Sequence, residues 1–144
     1  MYLNKVYPKW SELPNLDLYL DQVLLYVNQL DNCLIVDDDK GLTSAMINNY
    51  VKNGHLEKPI KKKYNRKQLA RLIVITCLKN VFSIQEISKT INSLTLEGSS
   101  EEMYDNFVMC MNGEKRDGLA DVIVAACDTV RLYKKTHDLV EQLK

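Results

Sequence analysis

Residues 69–78, Leu-Ala-Arg-Leu-Ile-Val-Ile-Thr-Cys-Leu, constrain the fold more than any other stretch of the chain. Leu69, Leu72, Ile73, Thr76 and Cys77 recur at helical spacing, while Val74, Ile75 and Leu78 extend the apolar surface almost all round. A helix with no polar face is a central one and must be covered by other elements. The stretch is far too short to span a bilayer. Asn65 followed by Gln68 resembles a capping box and marks the start of this helix.

The covering elements read mostly as helices, because five glycines and three prolines in 144 residues leave few tight turns for a many-stranded β fold. Asn15 is a plausible N-cap, and Leu16, Leu20, Val23, Val27 and Leu30 form one apolar stripe at steps of four and three. That helix stops in the polar loop Asp37-Asp38-Asp39-Lys40-Gly41. A shorter helix begins at Thr43 or Ser44, carries Met46, Ile47, Tyr50 and Val51, and ends at Gly54. Residues 56–64 contain Pro59 and three consecutive lysines, which suits a short extended hairpin, or wing. Ser83-Ile84-Gln85-Glu86 and Ser99-Ser100-Glu101-Glu102 are two further N-terminal boxes, the second leading to a helix that ends at Asn112-Gly113. The last helix runs from about Asp117. Leu119, Ile123, Ala126, Val130, Tyr133, His137 and Val140 repeat there at steps of four and three. A 3.5-residue period suits a coiled-coil seam with a second chain, and equally an amphipathic helix packed on its own domain.

Nineteen cations balance nineteen anions, yet the charges are segregated. Residues 1–40 hold three cations and seven anions, residues 41–80 nine and one, and residues 81–144 seven and eleven. A basic middle of net +8 between two −4 flanks points to a localised anionic partner. A glycine-ended helix, a basic hairpin and a capped helix follow each other in the order of a winged helix-turn-helix. Ser44, Asn48, Asn49 and Lys52 are polar positions on the short helix, and asparagine can bridge N6 and N7 of adenine. Lys58, Lys61, Lys62, Lys63, Arg66 and Lys67 place six cations within ten residues, with Tyr64 among them, suited to phosphate neutralisation. A solvated lysine-rich hairpin is the plainer reading of the same residues.

The run Met46-Ile47-Asn48-Asn49-Tyr50-Val51-Lys52-Asn53-Gly54-His55-Leu56-Glu57-Lys58-Pro59 resembles the recognition-helix stretch of MerR-type regulators. Tyr64-Asn65-Arg66-Lys67-Gln68-Leu69 and Leu78-Lys79-Asn80-Val81-Phe82-Ser83-Ile84-Gln85-Glu86-Ile87 are similar to their next two segments. Leu13-Pro14, Asp17-Leu18-Tyr19-Leu20-Asp21-Gln22-Val23 and Leu42-Thr43-Ser44-Ala45-Met46-Ile47-Asn48-Asn49-Tyr50-Val51-Lys52 resemble, more closely and most specifically from Met46 on, an uncharacterised bacterial domain family thought to carry a MerR-like fold. That likeness covers about residues 11–95. Asn48 stands where MerR-type proteins keep an arginine, the wing is shorter than theirs, and residues 32–41 replace their tight turn.

Residue types and resemblance together give a mostly α fold: a MerR-like winged helix-turn-helix over residues 11–97 with a short β wing, and a helical extension over 98–144. The expected activity is duplex-DNA binding by a homodimer in transcription control. Thr43, Ser44, Asn48, Asn49 and Lys52 would face the major groove. Tyr50, Lys61, Lys62, Lys63, Tyr64, Arg66 and Lys67 would meet phosphates. Leu119, Ile123, Ala126, Val130, Tyr133, His137 and Val140 would form the dimer seam. The competing reading is a non-catalytic module whose basic face docks on an acidic protein.

No enzyme constellation stands out. His55 and His137 have no serine or cysteine motif beside them, and Asp37-Asp38-Asp39 lacks calcium-loop spacing. No phosphate-binding glycine loop is present. Cysteines 33, 77, 110 and 127 never form C-x-x-C, and Met1-Tyr2-Leu3-Asn4-Lys5 does not open an apolar signal segment. The expectation is a cytoplasmic protein with reduced thiols, no cofactor and no membrane association.

Overall fold

A computed structural model describes residues 7–30 and 41–144. Tyr2, Cys33 and the Asp37-Asp38-Asp39 loop lie outside the described residues. The elements in chain order are a 3-10 turn (Trp10–Glu12), β1 (Leu18–Tyr19), α1 (Leu20–Leu30), α2 (Ser44–Lys52), β2 (Lys63–Tyr64), α3 (Arg66–Leu78), α4 (Ile84–Glu97), α5 (Ser100–Met111) and α6 (Asp121–Glu141). β1 and β2 pair antiparallel, Leu18 opposite Tyr64 and Tyr19 opposite Lys63.

α3 is the centre. Every residue from Gln68 to Leu78 except Arg71 is buried, and α1, α4, α5 and α6 all pack on it. Its capping box forms as the sequence suggests: Gln68 N donates to Asn65 Oδ1 at 2.9 Å, and Asn65 N to Gln68 Oε1 at 2.7 Å. Ser83 and Glu86 repeat the motif at α4. At α5 the Ser99 hydroxyl accepts from Glu102 N, without the reciprocal bond of a full box.

The first helix starts later than its apolar stripe implies. Leu18 and Tyr19 are extended and paired with the wing, so α1 begins at Leu20 and Leu16 is left 65% exposed. The α2 C-terminus is a Schellman turn. Gly54, at φ 78°, donates to Val51 O and His55 to Tyr50 O. The α5 C-terminus repeats it with Gly113 and Glu114. Arg131 of α6 then donates to the Cys110 and Met111 carbonyls, a cation at the negative end of α5.

Two asparagines act as clasps. Asn28 of α1 takes both backbone groups of Leu42, Oδ1 accepting from N at 2.7 Å and Nδ2 donating to O at 2.9 Å. Asn112 holds both backbone groups of Tyr7 in the same way. The segment from Tyr7 onward is therefore fastened along α5. Trp10 N donates to Asp105, Tyr104 Oη donates to Pro8 O, and the Trp10 and Tyr104 rings meet edge to face. One hydrophobic cluster runs from Tyr7 to Val130, and Tyr104, Val108, Cys110 and Cys127 are fully enclosed in it. The expected division at residues 97/98 does not separate two cores. α5 is part of the central packing, because α3 needs cover on that side.

Among the described residues, no helix is long and apolar enough to cross a membrane, and no group of three His, Cys, Asp or Glu side chains could hold a metal.

Gly41 sits at φ 71°, and a Cβ there would lie 2.5 Å from Asn28 Oδ1. Gly41→Ala therefore meets both left-handed strain and a collision with the clasp. It should cost about 1–3 kcal/mol in urea denaturation. An unchanged midpoint would show that the clasp yields freely.

Candidate nucleic-acid interface

The basic middle of the chain folds into α2, the wing and α3, and its lysine-rich part ends in the first turn of α3. Thr43 caps α2 by accepting from Met46 N at 3.2 Å, so its acceptor oxygen is committed to the helix end. Ile47 and Tyr50 turn inward, leaving Ser44, Ala45, Asn48, Asn49 and Lys52 exposed on one continuous side. Asn49 Oδ1 accepts from Asn53 Nδ2 at 2.8 Å, whereas Ser44, Asn48 and Lys52 have no side-chain partner among the described residues. α2 thus offers solvent a polar, cation-ended face.

The wing is smaller than a full hairpin and more tightly turned. Ile60 and Lys63 exchange both backbone hydrogen bonds at 3.0 Å, which leaves Lys61 and Lys62 as the two loop residues. Both have positive φ, 52° and 68°. That is the pattern of a type I′ turn, normally filled by Asn-Gly. Left-handed backbone is costly for a residue with a Cβ, so this turn carries strain, and residues held in such sparsely populated conformations cluster at functional loops. The beginning of the wing is held by the core. Gln68 donates Nε2 to the carbonyls of Glu57 and Lys58 at 2.8 and 3.1 Å, and Arg71 donates Nε to His55 O at 2.6 Å. β1 supports the other strand, where the Lys63 ammonium lies 5.1 Å from the centre of the Tyr19 ring.

The cations differ in how free they are. Lys52, Lys58, Lys61 and Lys62 are exposed and make no ion pair among the described residues. Lys67 pairs with Glu57 at 3.8 Å. Arg66 is half-buried and donates to Leu13 O at 3.3 Å, while its Nε is enclosed without a partner. Two expected contacts need correction. Tyr50 and Tyr64 are only 8% and 4% exposed, and their rings belong to the core. Burial raises the phenol pKa of both above its usual value. The reason is geometric: Tyr50 is on the inner side of α2, and Tyr64 points inward where β2 pairs with Leu18. Sequence reasoning misses the structural roles of Gln68 and Arg71. The capping-box motif does point to Gln68, but not to its second task.

The expected dimer seam is split by the fold. Leu119, Ile123 and Val130 are buried in the cluster of their own chain, where α6 packs on α5 and α3. Ala126 and His137 are half-buried, and His137 Nε2 is enclosed without a partner. Only Tyr133 and Val140, 38% and 54% exposed, remain open. An ideal helix has 3.6 residues per turn, so a 3.5-residue stripe drifts around it. Here the stripe starts against α5 and ends on the solvent side. A second heptad stripe, Val122, Ala125, Thr129, Leu132, Thr136 and Leu139, precedes it by one residue at each step, so it lies about 100° round the helix and is exposed.

These features define a small helical domain with a two-strand ladder and one basic face. Residues 8–107 match a family described as a domain of unknown function, DUF1836. The chain belongs to that family, and the match runs across the 97/98 line into α5. No curated protein and no solved structure matches the chain.

Replacing Lys61-Lys62 by Asn-Gly should relieve the left-handed strain and stabilise the protein by about 1–2 kcal/mol in denaturant titration. Destabilisation by the double substitution would show that the turn is not strained.

Proposed function

We propose that the chain is a DNA-binding transcription regulator of MerR-like, winged helix-turn-helix type, acting as a homodimer in the bacterial cytoplasm. The observation that carries this reading is the set of exposed, unpaired cations Lys52 at the end of α2 and Lys58, Lys61 and Lys62 on the strained wing that follows it. Ser44, Asn48 and Asn49 present hydroxyl and amide groups suited to base edges, and the lysines supply phosphate neutralisation. Thr43 contributes through its cap, and Lys63, Arg66 and Lys67 flank the face. A wing fastened to α3 and β1 loses little conformational entropy when it meets a backbone.

The dimer contact in this reading moves to the exposed stripe. Leu132 and Leu139 are 62% and 52% exposed, and the neighbouring Tyr133 and Val140 widen the surface. A seam built on Val130 would require α6 to leave its own core.

Two measurements test the proposal. If about four cations per protomer meet phosphates, a dimer engages ~8, and log K for random duplex DNA should fall against log salt with a slope near −7. No binding to duplex DNA at ~50 mM salt would overturn the regulator reading and favour the acidic-protein partner. In sedimentation, Leu132→Asp should convert dimer to monomer with the fold intact, since the side chain has no place in the core. A monomeric wild type at micromolar concentration would remove the second chain.

A further inference from the structure

A cavity of about 220 Å³, open to solvent on one side, is lined by the Gly54–Glu57 corner, α3, α4 and the first turn of α5. Its apolar lining comes from Leu56, Ala70, Ile91 and Met103. Its charged lining is Arg71, Lys67 and Glu57. Arg71 is half-buried and binds only neutral oxygens, His55 O at 2.6 Å and Ser88 Oγ at 2.9 Å. No carboxylate forms an ion pair with it among the described residues, and Glu57 is drawn instead to the Lys67 ammonium at 3.8 Å. A guanidinium has five N–H donors, of which these two bonds use two. Burial lowers the Arg71 pKa more than Glu57 raises it, as expected for a cation desolvated without a full counter-charge.

The start of α5 also borders the cavity. Ser100, at the first position of α5, lines it, and the cap hydroxyl of Ser99 is engaged with Glu102 N rather than with the first amides of the helix. Those amides form the positive end of a 12-residue helix, whose first turn also carries the exposed carboxylates Glu101 and Glu102, so Arg71 supplies the charge that an anion would meet. The volume is below the ~300 Å³ at which sites for drug-sized molecules begin. A lining that combines apolar side chains with a guanidinium edge matches a molecule with a short hydrocarbon body and one carboxylate.

We propose that this cavity binds a small organic carboxylate, its charged end on the free edge of Arg71 and its hydrocarbon against Leu56, Ile91 and Met103. The site stands independently of DNA binding, and its test needs no DNA. Because Arg71 also holds the His55 carbonyl, an occupied cavity braces the corner that joins α2 to the wing.

The experiment is titration of the full chain with acetate, butyrate, hexanoate and benzoate, with inorganic phosphate as comparator, followed by calorimetry and amide hydrogen exchange. Affinity should rise from acetate to hexanoate and benzoate, and phosphate should bind at least tenfold more weakly than benzoate. Exchange of the His55 and Leu56 amides should slow on saturation. Arg71→Lys should lose at least tenfold in affinity, since a point charge cannot reproduce the planar fork. Asn92→Trp, at an exposed position on the rim, should block binding while leaving the fold and Arg71 in place. Absence of carboxylate binding at millimolar concentrations, or equal binding by wild type and Asn92→Trp, would overturn the site. A phosphate affinity equal to that of benzoate would overturn the assigned ligand class.

Discussion

The fold depends on one constraint: α3 has almost no face that water can reach. Each large aliphatic side chain it buries contributes about 1.5–3 kcal/mol only while covered, and Leu69, Leu72, Ile73, Val74 and Ile75 together need cover on every side. α1, α4, α5 and α6 supply it. The exceptions to apolarity on this helix are equally informative. Gln68 and Arg71 are placed so that their polar ends reach backbone carbonyls of the segment before the wing. The helix that anchors the core thereby also holds the basic loop, so deformation of one is felt by the other.

Cover for α3 comes partly from chain far away in sequence. Tyr7 and Asn112 are joined across 105 positions, and Trp10 and Asp105 across 95. These contacts turn α5 from an appendage into a wall of the core. They also fasten the described start of the acidic N-terminal flank, residues 7–12, to the acidic C-terminal one. The net charge of zero is thus divided between an acidic body and a basic α2 and wing, an arrangement that orients a molecule in an external field although its total charge vanishes.

Local signals are legible in the sequence and relational ones are not. Asn65, Ser83 and Ser99 cap helices where the motif places them, because a cap is decided by three or four neighbouring residues. The all-round apolarity of residues 69–78 correctly marks the central helix. The start of α1 is not legible because pairing between Leu18 and Tyr64 outcompetes one more helical turn, and nothing near residue 18 encodes a partner 46 positions on. Tyr50 and Tyr64 mislead because tyrosine among lysines reads as surface, whereas their side depends on helix phase and strand register. On α6 two heptad stripes coexist in one sequence. Periodicity reveals both and does not say which is covered by the same chain. The lysine turn is illegible for another reason, since no residue in it advertises positive φ.

That turn joins two energetic terms with different responses to salt. Its backbone strain is set by sterics and does not change with ionic strength. Repulsion between Lys61, Lys62 and Lys63 is screened over ~8 Å at physiological salt and grows as salt falls. Low salt therefore makes the isolated wing less stable at the same time as it strengthens attraction to any polyanion. A phosphate placed near the turn offsets the repulsion directly, without touching the strain. The wing is thus held in shape by Gln68, Arg71 and β1, while Lys61 and Lys62 at its tip have no ion-pair partner among the described residues. Rigid support and unsatisfied charge together make this part of the molecule suited to receive an anion rather than to fold around one.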